Sequence, residues 1–509
     1  MNKKYDVVII GAGNGGLAAA IGVLKAGKSC LVVEKHNLPG GFATSFVRGR
    51  FEFEASLHEL NGMGQGAHTG STYALFDELG VVDKIDWLQI KHAFRLITKE
   101  EGLDFTMPIG PEACVEACKK LCPDGDKYMQ RFIDLSINCA EAMNYIGQSK
   151  GKPDPQVMQT KYADYLACAS YSVDEVFEAE HFPKVMQYVI NAYWSYLGTK
   201  TSEVNFAHYA NMTYKYFLYG AVAPKLRSHE MSLAFVERIH ELGGEIWFNT
   251  EATKILLDDK GRVFGVSLAN GQCIDTRHVI ANCSPHNVYG KMLNKVPEAA
   301  TKLTNFRRLA GRGFTIFLGL NKSPEALGIT DHSYFIYDTA DANVIYEKMK
   351  KLDSAAGQAT VCLNHVHPDC SPKGTTILYI TSLFMDDVWA DVDEKDYHKK
   401  KNEIAALFIR KFEEATGAKL FGHIEEIAIA TPQTYARYTG HPQGTIYGYE
   451  SQPNDSLMAR VQMVNEDAVV SGLRIGGGFG ERLLGFSSAY KSGLSEAKRT
   501  LRDIEKEAC

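Results

Sequence analysis

IIGAGNGGL, Ile9 to Leu17, is the stretch whose reading decides the fold. Before it, Tyr5 to Ile10 is a mostly β-branched run, the pattern of a strand buried on both faces of a parallel sheet. After it, Leu17 to Ala26 carries a helical pattern that Gly27 stops. Ser29 to Val33 then reads as a second strand ending at Glu34. Gly11, Gly13 and Gly16 thus fit GxGxxG inside one complete βαβ unit. Gly11 permits the tight turn, Gly13 lets the backbone approach a pyrophosphate, and Gly16 lets the helix pack on the strand. Asn14 and Gly15 belong to the same loop, at a helix N-terminus where free N–H groups and the dipole favour phosphate. Glu34, 23 residues beyond Gly11, is placed to accept hydrogen bonds from ribose hydroxyls, and its charge disfavours a 2′-phosphate. The unit by itself leaves open whether the nucleotide is mobile or permanently held.

The remaining composition narrows the class. A chain of 509 residues is too long for one ordinary core and predicts two or more lobes. Apolar and charged fractions of 45% and 23% are those of a soluble globular protein. A net charge of -6 without a basic run argues against a nucleic-acid partner. Eleven cysteines without paired spacing read as reduced thiols of a cytoplasmic protein. Cys114, Cys118 and Cys122, four apart, are expected on one helix face rather than around a metal, and no metal site is expected. The apolar run from Tyr5 to Leu24 holds five glycines, so it is expected to be the glycine-loop unit rather than a signal peptide or a membrane span.

Directly after Glu34 comes Lys35-His36-Asn37-Leu38-Pro39-Gly40-Gly41-Phe42-Ala43-Thr44. It resembles the segment that follows the ribose-binding acid in FAD-dependent oxidoreductases of the amine oxidase and phytoene desaturase superfamily. The resemblance implies that Lys35, Gly40, Gly41 and Phe42 lie along the pyrophosphate and ribityl chain of FAD, with Phe42 where the family commonly has Arg. Gly243 to Ile255 looks like the family's strand pair that touches adenine, here at Ala252. Val279 to Asn282 looks like a strand returning to the nucleotide domain, bringing Asn282 to the cofactor.

Two later segments are more specific. ATPQTYARYTGHPQGTIYGYE, Ala430 to Glu450, is similar to a signature of the phytoene desaturase, carotenoid isomerase and retinol saturase group. GLRIGGGFGERLLGFSSAYKSGLSEA, Gly472 to Ala497, looks like that group's C-terminal flavin segment. There Gly478, Phe486 and Ser487 would border FAD, with a helix beginning near Gly485 to Ser488 and Phe479-Gly480-Glu481-Arg482 replacing the more usual proline-rich loop. A fixed FAD rather than a mobile nicotinamide follows from this resemblance.

The implied fold is α/β. A Rossmann-type FAD-binding domain is built from the discontinuous segments 1–100, 206–290 and 431–509. Residues 101–205 form a helical cap, and 291–430 a mixed-sheet substrate domain. Asn191 to Gly220 is dense in Tyr, Phe and Trp; these rings either wall a long apolar substrate or fill the core between cap and sheet. The resemblance implies an oxidoreductase that desaturates, saturates or isomerises carbon–carbon double bonds of a hydrophobic, isoprenoid-like or polyene-like small molecule. His58, beside Glu59 in ASLHELNG, and Tyr447 in GTIYGYE are the candidates for moving a proton. The rival readings are an amine or amino-acid oxidase on the same fold and a non-catalytic FAD-binding carrier. The sequence names no electron donor or acceptor. An apolar substrate leaves room for peripheral contact with a membrane.

Overall fold

The computed structural model describes residues 3–65, 68–149, 151–294, 296–305, 307–451, 469–480 and 485–508. Val7–Ile10 and Cys30–Val33 are fully buried strands, as their unbroken apolar runs require, and the helix Asn14–Lys25 connects them. They lie in a five-stranded parallel sheet ordered Glu245–Trp247, Cys30–Val33, Val7–Ile10, His278–Ala281, Leu473–Ile475. The chain therefore visits this sheet at its beginning, twice in its middle and again near its end. Strand order reverses at Val7–Ile10, with Cys30–Val33 on one side and His278–Ala281 on the other. In open α/β sheets, the crevice beyond such a reversal is where ligands bind. Gly11 turns into it with φ +97°.

The last helix, Phe486–Ala508, crosses the first one. A Cβ on Gly493 would lie 1.8 Å from the Gly15 carbonyl oxygen, and one on Gly22 would lie 2.9 Å from Leu494 Cδ1. Two bare backbones thus touch, and Tyr490, Leu494 and Ala497 complete a core with Leu17, Ile21 and Phe235.

A second sheet has seven strands, in the order Asp104–Met107, Phe94–Thr98, Ser333–Tyr337, Gly357–Cys362, Thr376–Phe384, Arg312–Leu320, Ile424–Ala430. Its described pairings are antiparallel, except that Phe94–Thr98 runs parallel to Ser333–Tyr337. Helices from Pro111 to Ile190 and the helix Phe206–Tyr219 cover one side of it. Phe132, Phe177, Phe206 and Phe217 of this cap share a core with Phe94 and Phe335 of the sheet. Cys114 and Cys118 are buried on the helix Pro111–Cys118, but that helix stops there. Cys122 lies beyond its end, so the expected three-cysteine helix face holds for two residues only. Of the Phe479-Gly480-Glu481-Arg482 loop, Glu481 and Arg482 lie outside the described residues.

The close approach at Gly493 yields a direct expectation. Gly493→Ala forces the first and last helices apart and destabilises the protein by about 1–3 kcal/mol, the usual effect of overpacking a filled site. Denaturant unfolding should show the loss. An unchanged midpoint would mean that the two helices are free to separate.

Candidate functional site

A cavity of about 1330 Å³ begins beyond the carboxyl ends of the parallel strands and continues between the second sheet and the cap. Of the residues expected to hold the cofactor, Gly11, Gly13, Asn14, Gly15, Glu34, Lys35, Gly40, Gly41, Phe42, Ala252, Asn282, Gly478, Phe486 and Ser487 all line it. Gly16 does not. A Cβ there would lie 2.0 Å from the Gly11 carbonyl oxygen, so its task is to let helix meet strand, and it shapes the loop without bordering the cavity.

The nucleotide half is made largely of backbone. The helix Asn14–Lys25 begins with no side-chain cap and no acidic residue in its first turn, leaving its N–H groups directed at the cavity. Asn14 Oδ1 is buried there without a hydrogen-bond partner among the described residues. Gly40 donates its N–H to the Ala12 carbonyl at 2.7 Å, seating the Gly40-Gly41 turn against the first glycine loop. Asn282 receives the third approach: its N–H donates to the Ile10 carbonyl at 2.8 Å, and a Cβ on Gly477 would lie 2.1 Å from its Oδ1. Glu34 is buried; its Oε2 accepts from the Ala12 N–H at 2.7 Å and its Oε1 from the His36 N–H at 2.9 Å. Those two bonds orient the carboxylate and leave lone pairs for hydroxyl donors. Phe486 and Ser487 bring a second helix N-terminus to the same cavity, again without an acid in its first turn. Two helix starts, a buried acceptor with no partner and an oriented carboxylate fit a dinucleotide such as FAD.

The other half is aromatic and hydroxylic. His58 shares a hydrogen bond of 3.1 Å between its Nε2 and Thr381 Oγ1. Thr381 continues to Thr315 Oγ1 at 3.1 Å, and Thr315 to the Tyr435 hydroxyl at 2.7 Å. Thr315 and Thr381 sit directly opposite each other on antiparallel strands, which is why their side chains meet. All four residues line the cavity. Burial lowers His58 to about 4, so its imidazole is neutral at neutral pH.

Glu59 behaves in the opposite sense. Burial pushes its carboxyl up to about 8, against the ordinary 4.5. Its Oε1 accepts from the Tyr196 hydroxyl at 3.2 Å, while Oε2 has no hydrogen-bond partner among the described residues. Tyr447 lines the cavity, and burial raises its phenol, which keeps it a donor rather than a base.

The rings of Asn191 to Gly220 do both things weighed for them. Tyr193 and Tyr209 are core residues, donating to the Ala93 and Ile190 carbonyls, whereas Tyr196 and Tyr216 face the cavity. Tyr193 stacks on Tyr216 with centroids 4.3 Å apart, holding the wall in place. Phe42 lies 5.8 Å from Tyr435 and 5.3 Å from His441, and His441 lies 4.9 Å from Phe479. The signature segment and the C-terminal loop are thereby joined across the cavity. Burial also lowers His441 to about 4, and its Nδ1–H donates to the Thr445 carbonyl at 2.9 Å. Tyr435 and His441 were legible within the signature segment, though only Tyr447 was singled out from it. Thr315 and Thr381 carry no local signal, since only strand pairing makes them neighbours.

Removing the Glu34 carboxylate should weaken FAD retention. Glu34→Ala loses charge-assisted hydrogen bonds of about 1.5–3 kcal/mol, a rise of roughly 10- to 100-fold in the dissociation constant. Flavin content after exhaustive dialysis, with recovery on added FAD, measures it. Full retention would remove Glu34 from the cradle.

Comparison with known proteins agrees with this geometry. Residues 6–100 match the FAD dependent oxidoreductase family model. All-trans-retinol 13,14-reductase of Danio rerio is 24% identical over 504 residues, covering 91% of this chain and 82% of that protein. Chloroplastic prolycopene isomerase of Daucus carota is 24% identical over 495 residues, covering 93% and 76%. Among solved structures, an oxidoreductase from Methanosarcina mazei superposes with a TM-score of 0.65 at 14% identity, covering 97% of this chain and all of that one. Cyclohexylamine oxidase from Brevibacterium oxydans gives 0.59 at 16%, covering 98% and 99%. The structural likenesses establish a shared fold. By sequence, the chain is similar over most of its length to retinol reductases and prolycopene isomerases, and its first hundred residues to FAD-dependent oxidoreductases, in agreement with the nucleotide cradle.

Proposed function

We propose that the protein saturates, desaturates or isomerises carbon–carbon double bonds in a hydrophobic, polyene-like small molecule. The observation that carries this reading is Glu59, a buried carboxyl with one oxygen unpartnered among the described residues, set in an aromatic cavity continuous with the nucleotide cradle. The relatives named for retinol and prolycopene lend the reaction class. Bound FAD supplies hydride exchange at its isoalloxazine ring.

Saturation adds a hydride to one carbon and a proton to its neighbour; desaturation removes both. Glu59 is protonated at neutral pH and is the group that gives the proton, and as a carboxylate it takes one back. Tyr196 orients it through its hydroxyl. His58, neutral and hydrogen-bonded through Thr381 and Thr315 to Tyr435, keeps this wall polar without placing a charge in the cavity. Tyr196, Tyr216 and Phe42 exclude water and hold a flat conjugated chain. An amine oxidase must admit amines, which are largely cationic in water, and Lys215 and Lys491 line this cavity. That charge favours the polyene reading. Among the described residues no helix is long and apolar enough to cross a membrane.

The test is anaerobic reoxidation of photoreduced protein by conjugated polyenes, followed by the return of flavin absorbance. Polyenes should reoxidise it; reduction of the flavin by primary amines, with polyenes inert, would overturn the reading. Glu59→Gln should slow the polyene reaction by about 10²–10⁴-fold. In the unsubstituted protein the saturation rate should hold level below pH about 8 and fall above it, as Glu59 loses its proton.

Stability follows the same group. Because its folded value lies above 4.5, stability falls as pH rises from 4.5 to about 8. Glu59→Gln should therefore raise the melting temperature more at pH 8 than at pH 5. An equal change at both would show that the carboxyl is solvated.

A further inference from the structure

Two lysines enter the cavity from different helices. Lys215 belongs to the helix Phe206–Tyr219 and Lys491 to the helix Phe486–Ala508, and both line the cavity. They are near enough for Lys491 to repel charge from Lys215. Neither has a carboxylate partner among the described residues. Lys498, two turns beyond Lys491 on the same helix, is different: its Nζ lies 2.6 Å from Glu78 Oε1 at an exposed rim. Lys498 is thus paired, whereas Lys215 and Lys491 have no such partner among the described residues. Lys215 is the more enclosed, and burial with the nearby cation brings its ammonium down to about 8. It still carries most of its charge at neutral pH, in a place where water solvates it poorly. An anion set between the two cations would offset that cost.

The neighbouring positions give such an anion a direction. Met212 and Tyr216 line the cavity on the same helix as Lys215, and Tyr216 belongs to the aromatic wall around Glu59. The polar end of the cavity thus grades into the apolar end within one helical turn. No arginine lines the cavity among the described residues, so an anionic head group there is met by ammonium groups rather than by a guanidinium fork. A carboxylate ending an apolar chain offers one oxygen to each of the two ammonium groups.

We propose that the substrate is an unsaturated carboxylic acid whose carboxylate is held by Lys215 and Lys491, with its chain running past Met212 and Tyr216 toward Glu59. This rests on the polyene reading and names the head group that reading leaves open.

The test titrates the flavin-loaded protein with all-trans-retinoic acid, all-trans-retinol and retinyl phosphate, following tryptophan quenching and the flavin spectrum. The acid should bind at least tenfold tighter than the alcohol and tighter than the phosphate, with an advantage that shrinks as salt is raised. Lys491→Glu and Lys215→Met should each cut the acid-to-alcohol affinity ratio at least fivefold. Lys491 is exposed, so its reversal leaves the fold intact even if Lys215→Met does not. Equal affinity for acid and alcohol overturns the carboxylate and leaves the polyene reading standing. Tighter binding of the phosphate overturns the carboxylate as well. No binding by any of the three overturns both.

Discussion

Everything in this protein depends on two backbones touching without side chains between them. Gly493 of the last helix rests against the Gly15 carbonyl of the first. This contact brings together chain ends nearly five hundred residues apart. It sets Gly477 against Asn282 and brings Phe486 and Ser487 to the cavity that Gly11 opens. A side chain at either glycine would displace one helix and, with it, one wall of the nucleotide cradle. Local sequence builds each half of the cradle, but only their closure makes a site.

Burial then decides the chemistry. Around the second half of the cavity the dominant influence on each ionisable group is loss of water, and that one cause acts in opposite directions. It holds His58 and His441 neutral by lowering them and holds Glu59 neutral by raising it. The tyrosines remain protonated. The deeper cavity is therefore almost free of net charge while still holding protons, which suits an apolar substrate that must gain or lose one. Lys215 and Lys491 mark the boundary where charge returns.

The first βαβ unit was fully legible because it is local. The glycines, the buried strands and Glu34 lie within thirty residues, and each has a mechanical role fixed by backbone geometry. The later cofactor segments were legible by resemblance, and their residues converge on one cavity. Gly16 packs helix on strand, the role its place in the fingerprint gives it, and so does not border the cavity. Cys122 shows where periodicity misleads, since a four-residue spacing means a shared face only while the helix lasts.

The amino-acid sequence by itself determined that a dinucleotide cradle exists, which residues start it and that an aromatic-rich insertion lies beside it. These are properties of short segments, written in turn geometry and hydrophobic period. Tertiary structure alone decided which aromatics face the cavity, that Thr315 and Thr381 link His58 to Tyr435, and that Glu59 keeps its proton. The reason is physical: strand register and depth of burial are set by packing between distant segments, and both hydrogen-bond partners and proton affinity follow from them.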